Sequence, residues 1–103
     1  MPTLDQIKDQ ILAMFPVGSE WYDCVQDSCG KISHHFKPWG VVMRWTGGSL
    51  TVYPYGDLLQ GRLIKPRMGG WYHQYRAEKK DIQEQYETWR KENGLDKETL
   101  WQG

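Results

Sequence analysis

The chain has 103 residues and a formal net charge of zero, and 39% of its residues are hydrophobic. This length fits one domain with a modest core, so we expect a single domain over residues 1–103. The sequence contains no run of about 18 apolar residues, the length that a membrane-spanning helix needs.

Aromatic residues are numerous for this length, with six tryptophans and six tyrosines. A small core cannot enclose all of these rings, so we expect some at the surface, and Tyr and Trp are enriched at binding hot spots. The start of the chain lacks the basic-then-apolar layout of a signal peptide. We therefore expect a cytoplasmic binding protein whose two cysteines are reduced.

The first predicted element is a short amphipathic helix. Thr3 and Gln6 match a capping box at its start, and Pro16 stops it. Apolar residues recur between them at helical spacing, at Leu4, Ile7, Ile11 and Phe15.

The middle of the chain favours strands. Residues 20–28 fit a helix or a strand, and their alternation favours a strand; residues 31–36 alternate as a half-buried strand does. The segments 41–45 and 50–55 form the clearest hairpin, with Gly47 and Gly48 in the turn. We expect Val41, Met43, Trp45, Leu50 and Val52 on its buried side, and Arg44, Thr51, Tyr53 and Tyr55 on its exposed side.

Pro54 indicates an edge position for the second hairpin strand, because proline cannot donate to a ladder. Residues 58–64 supply one more strand, broken or bulged at Gly61. A long helix is predicted between Gly69-Gly70 and Asn93-Gly94, followed by a short helical turn capped by Asp96. Its inward stripe comprises Trp71, Tyr75, Ile82, Tyr86 and Trp89.

These elements predict an α+β fold. A small antiparallel sheet of three to four strands is covered by the short N-terminal helix and the long C-terminal helix.

The positive charge is concentrated in residues 62–80, which hold six basic residues against one acidic residue. Cations beside aromatic rings are typical of single-stranded nucleic-acid binding, and such a surface also suits a protein partner. A solvated helix start with buried rings is the alternative interpretation. Our candidate binding residues are Arg44, Tyr53, Tyr55, Arg62, Lys65, Arg67, Tyr72, His73 and Arg76.

A metal site is a further hypothesis. Cys24, Cys29, His34 and His35 lie within twelve residues, but their spacing is loose for zinc, and adjacent histidines on a strand point to opposite faces. Two buried thiols and two ordinary histidines are the simpler interpretation. We expect no cofactor.

Catalysis has little support in the sequence. A histidine near Asp23 or Asp27 could act as a base, and a cysteine as a nucleophile. No nucleophile elbow, phosphate loop or paired-carboxylate motif accompanies them, so we expect no enzyme.

We therefore expect a small binding or accessory protein that docks on a larger protein or nucleoprotein. An inhibitor, with phage-encoded inhibitors of host defence as a class-level analogy, is one form of this hypothesis. Direct binding of single-stranded nucleic acid is the alternative, and a zinc-dependent protein or enzyme is the third. A homodimer that buries the spare aromatic rings would give the same signs.

Overall fold

The computed structural model describes residues 2–66 and 71–94, with residues 71 and 72 described in their backbone only. The fold is α+β, as predicted, but its antiparallel sheet has five strands in the order β4-β3-β2-β1-β5. The elements in chain order are α1 (Leu4–Ala13), β1 (Glu20–Asp23), β2 (Ser28–Phe36), β3 (Gly40–Arg44), β4 (Leu50–Pro54), α2 (Tyr55–Leu59), β5 (Leu63–Ile64) and α3 (Trp71–Glu92).

The first helix begins as predicted. The Thr3 Oγ1 accepts a hydrogen bond from the Gln6 N–H at 3.2 Å, and the Thr3 N–H donates to Gln6 Oε1 at 2.8 Å. This reciprocal capping box satisfies two of the amide groups that a helix start leaves unpaired. The apolar stripe of α1 is buried, with Ile7 and Ile11 fully enclosed.

The strand prediction for residues 20–28 is confirmed in its first half. Glu20–Asp23 forms β1, residues 24–27 turn the chain, and β2 begins at Ser28. The ladder from β2 to β3 shifts between Ile32 and His34, where a β-bulge breaks the simple alternation that we expected. As a result His35 lies opposite Val41, and His34 lies opposite Val42.

The hairpin forms, but its predicted facing is wrong for β4. Val41 pairs with Tyr53 and Met43 with Thr51, so Tyr53 shares the buried side of β3. Leu50 and Val52 lie on the opposite side, where they are 55% and 48% exposed. A one-residue difference in register exchanges the two faces of a strand. The prediction of an edge position at Pro54 is confirmed, because β4 ends the sheet.

The segment after β4 also differs from the prediction. Tyr55 starts the one-and-a-half-turn helix α2 instead of ending a strand. Gly61, with φ at 86°, reverses the chain, and only Leu63 and Ile64 pair with β1. The predicted strand over residues 58–64 is therefore reduced to these two residues.

The long helix is confirmed as α3, which ends at Asn93-Gly94 with Gly94 at a φ of 70°. Tyr75 and Tyr86 are buried, and Ile82 and Trp89 pack against the core. The predicted start at Gly69-Gly70, the side chain of Trp71 and the short turn after residue 94 lie outside the described residues.

The helices α1, α2 and α3 lie on one side of the sheet. We call this side the core face; it carries Trp21, Ile32, Val41, Met43 and Tyr53, which pack against α1, α2 and α3. We call the other side the open face; it carries Tyr22, Lys31, His34, Phe36, Val42, Arg44, Leu50 and Val52. Among the described residues, no helix is long and apolar enough to cross a membrane.

Candidate functional site: the open face of the sheet

Apolar side chains cluster on the open face at the β4 end of the sheet. Phe36 is 44% exposed, Leu50 55% and Val52 48%, and they surround Val42, which is 5% exposed. Val42 lies between His34 on β2 and Val52 on β4, so its burial comes from its neighbours on the open face rather than from the core. Contiguous exposed apolar side chains with polar neighbours are typical of an interaction surface.

Basic side chains border this cluster. Lys31 of β2 lies directly opposite Arg44 of β3, and like charges in this arrangement repel each other. On the neighbouring strand β1, Glu20 lies opposite Lys31 and offsets part of this positive charge. Within the described part of the chain Arg44 has no ion pair. Arg44 is therefore a cation on the open face without a carboxylate partner among the described residues.

A cleft of about 260 Å³ opens beside these charges, lined by Glu20, Cys29, Gly30, Lys31, Arg44, Trp45 and Thr46. Trp45 closes one wall, and its indole Nε1–H donates to the Thr51 hydroxyl at 2.8 Å. Gly30 gives the ring its space, because a Cβ there would lie 3.1 Å from Trp45 Cε3 and 2.9 Å from the Arg44 carbonyl oxygen. Arg44 lines this cleft and also lies opposite Leu50 of the apolar cluster, whereas Trp45 packs against the core.

Tyr53 and Tyr55 are not surface residues, which corrects their predicted exposure. Both are completely buried. Tyr55 donates its hydroxyl to the Lys37 carbonyl, and Tyr53 donates its hydroxyl to Asp23. The candidate binding residues of the sheet and of α3 do not share one surface, because Arg44 lies on the open face and α3 packs on the core face.

Asp23 is the fully buried carboxylate of the core face. Its burial opposes the charged form, but hydrogen bonds from the Tyr53 hydroxyl and from the N–H groups of Gln26 and Val25, together with the Arg62 charge, outweigh this cost and lower the pKa of Asp23. The Arg62 Nε lies 3.3 Å from Asp23 Oδ2, and the Arg62 Nη1 lies 3.4 Å from Asp57 Oδ2. Arg62, a predicted contact residue, is thus held by two carboxylates of its own chain.

The other candidate residues of the basic segment, residues 62–80, differ in their surroundings. Lys65 lies with its Nζ 5.1 Å from the centre of the Trp21 ring, a cation–π contact with the core. His73 and Arg76 are exposed on α3, and Arg76 borders a groove of about 290 Å³ with Lys79 and Lys80. Burial and the nearby Arg76 charge lower the pKa of Lys79. Arg67 and the side chain of Tyr72 lie outside the described residues.

The cysteine and histidine candidates are not brought together. Cys24 and Cys29 are free and exposed, which corrects the interpretation of two buried thiols. His35 contacts the Phe15 carbonyl oxygen through its Nε2 at 2.6 Å, whereas His34 lies on the open face. Among the described residues, no three His, Cys, Asp or Glu side chains are grouped as metal ligands would be.

The exposure of Leu50 and Val52 on the open face, next to Phe36, was not predicted from the sequence. The predicted strands left residues 46–49 between them, whereas in the structure the loop comprises residues 46–48 between Trp45 and Ser49, which places Val41 opposite Tyr53. Once Val41 is assigned to the core, this pairing sends Val52 to the opposite side.

Comparison of the chain with protein-family models, with curated proteins and with solved structures finds no match in any of the three.

Proposed function

We propose that this chain is a small binding protein without catalytic activity of its own, and that it docks on a protein partner through the open face of its sheet. The observation that carries the proposal is the exposed apolar cluster of Phe36, Leu50 and Val52, which the helices leave uncovered. Burial of apolar surface is the main driving force of protein association. The bordering Lys31 and Arg44 favour a partner whose apolar contact residues are flanked by carboxylates.

An accessory or inhibitory role in the cytoplasm belongs to the same proposal. A phage-type inhibitor of host defence stays a class-level analogy. Such proteins act by occupying a surface of a larger protein, and an open sheet face with one row of apolar side chains is suited to that task.

Site-specific photo-crosslinking tests the proposal. A p-benzoyl-phenylalanine replaces Phe36 on the open face or, as the matched control, Glu87 on the exposed side of α3. Crosslinked products from cells that express the protein are identified by mass spectrometry. We expect one recurring protein partner from position 36 and none from position 87; the reverse pattern would contradict the proposal.

Single-stranded nucleic-acid binding is the second candidate function. It is supported by the groove on α3, where Arg76, Lys79 and Lys80 bring three cations together. Two other predicted contacts, Arg62 and Lys65, are engaged with the protein's own Asp23 and Trp21, which leaves fewer cations for phosphates.

A further inference from the structure

Strand β4 forms one edge of the sheet, and its outward backbone groups can be assigned from the hydrogen bonds around it. Trp45 N–H donates to the Ser49 carbonyl at 2.9 Å, and Tyr55 N–H donates to the Trp39 carbonyl at 3.1 Å. These bonded pairs continue in steps of two through the antiparallel ladder, so Thr51 and Tyr53 bond to β3. Leu50 and Val52 therefore direct their N–H and C=O groups away from β3, toward the edge.

Nothing in the described part of the chain occupies these edge groups. No turn, loop or side-chain hydrogen bond reaches the backbone of Leu50 or Val52 within residues 2–66 and 71–94. Proteins commonly protect an edge with a lysine, a covering helix or a bulge, and the ladder of β4 to β3 has none of these. Pro54 gives the described edge some protection, because it lacks an N–H group at the end of the strand.

We propose that β4 pairs antiparallel with β4 of a second copy of this chain, about a two-fold axis at Val52. In this register the two Val52 residues exchange both of their N–H···O bonds. The Leu50 N–H of each copy faces the Pro54 carbonyl of the other, so the missing proline amide removes only the outermost bond of each end. The result is a ten-stranded sheet across both copies.

The absence of charged residues from β4 favours a second copy of this chain as the strand that pairs with its edge. The strand Leu50–Pro54 contains no charged residue, so two identical strands meet without like-charge repulsion. An edge adapted to a charged foreign strand would be expected to offer a complementary charge of its own.

The side chains of the open face also match across this axis. Val42 lies opposite Val52 in each copy, so the axis places four valines in one row, with a His34 at each end. The 48% exposure of Val52 would fall as the two valine side chains meet. The dimer extends the open face without covering it, so this inference does not depend on the proposed docking function.

Sedimentation equilibrium over a range of protein concentrations tests the dimer. We expect the wild-type chain to be dimeric at micromolar concentrations. Val52→Lys and Val52→Glu, studied separately, place like charges against each other at the axis and should weaken self-association by about tenfold or more. Mixing the two variants in equal amounts should restore a dimer, because Lys then faces Glu. Val25→Lys and Val25→Glu, which charge a 74% exposed valine in the β1–β2 turn, are the matched controls and should leave the dimer unchanged.

Val52→Pro provides a second test that does not rely on charge. The Val52 N–H faces away from β3, so proline there spares the ladder of the monomer and removes both N–H···O bonds at the axis of the dimer. We expect a folded monomer by circular dichroism and sedimentation. A wild-type chain that stays monomeric at the highest concentration would overturn the proposal and leave the edge to a foreign strand. A dimer that the Val52 variants do not weaken, or that their mixture does not restore, would overturn it as well.

Discussion

At the scale of single residues, the fold depends on a few positions whose side chains are closely matched to their surroundings. Asp23 is enclosed on the core face and holds Tyr53, Arg62 and the turn after β1 in place. Gly40, at the start of β3, has a φ of 152° and lies against the backbone of Tyr53. These contacts set the register of the hairpin, and the register decides which side chains reach the open face.

Replacing Asp23 with Asn should destabilise the fold by about 2–3 kcal/mol, because it removes the negative charge that pairs with Arg62 and that accepts the hydrogen bond of the Tyr53 hydroxyl. Urea unfolding followed by tryptophan fluorescence measures the change. Asp81→Asn on the exposed side of α3 is the control and should change the free energy of unfolding by less than about 0.5 kcal/mol. Equal effects of the two substitutions would show that Asp23 is not a structural carboxylate.

The same carboxylate predicts a dependence of stability on pH. The pKa of Asp23 is lowered in the folded state, so its contribution is complete above the ordinary carboxyl pKa of about 3.9 and is lost as the pH falls through the folded value. The difference in unfolding free energy between the wild type and Asp23→Asn should therefore shrink on acidification from pH 7 to below about pH 3.9. A difference that grows over this range would contradict the assignment.

Replacing Gly40 with Ala should destabilise the protein by about 3 kcal/mol or more, since it combines backbone strain with overpacking. A Cβ at this position would lie 2.0 Å from the Tyr53 carbonyl oxygen. Gly47→Ala in the β3–β4 turn is the matched control, because no atom lies within 4 Å of the position that a Cβ would take there. Thermal unfolding by circular dichroism compares the two, and a melting temperature of Gly40→Ala similar to that of Gly47→Ala would refute the close approach.

At the scale of elements, the contribution of a helix start to the stability of the fold can be measured with a single substitution. The capping box of α1 is the clearest case. Thr3→Ala removes the side-chain acceptor of the Gln6 N–H and should cost about 1 kcal/mol, or about 4–8 °C in melting temperature. Thr88→Ala, at an exposed position within α3, is the control and should be neutral or slightly stabilising, because alanine is the better helix former. A loss with Thr88→Ala as large as that with Thr3→Ala would contradict a specific capping effect.

The elements with strong periodic or capping signals were predictable, and those decided by long-range pairing were not. The spacing of Tyr75, Ile82, Tyr86 and Trp89 predicted α3, and Thr3 with Gln6 predicted the start of α1. The facing of β4 was mispredicted because both alternating sets, Leu50 with Val52 and Thr51 with Tyr53, contain large side chains. Only the pairing with β3 distinguishes them. The β-bulge near Ser33 and the helix at Tyr55 likewise depend on tertiary contacts, which local sequence patterns do not predict.

At the scale of the whole molecule, the two sides of the sheet are organised differently. The core face is covered by α1, α2 and α3, and the network of Asp23 with Arg62 lies on this side. The open face combines an apolar cluster with Lys31 and Arg44, and it ends at β4, the last strand of the sheet. This asymmetry is the basis of the docking function that we propose.

The distribution of cations predicts weak binding of nucleic acid. Fluorescence anisotropy of labelled single-stranded DNA and RNA should show no micromolar binding at moderate salt, because Arg62 and Lys65 are engaged within the protein. Binding that weakens log-linearly with salt and is lost in Arg76→Ala would instead establish the α3 groove as a nucleic-acid site.

Docking through the open face is tested most directly by the affinity of the crosslinked partner for open-face variants, measured by isothermal titration calorimetry. Phe36→Asp places a charge in the apolar cluster, away from the Val52 axis, and Val25→Asp is the control at an exposed valine in the β1–β2 turn. We predict that Phe36→Asp weakens binding by about tenfold or more and that Val25→Asp leaves it unchanged. If Phe36→Asp leaves the affinity unchanged and Arg76→Ala lowers it, docking through the open face is contradicted and the binding site lies on α3.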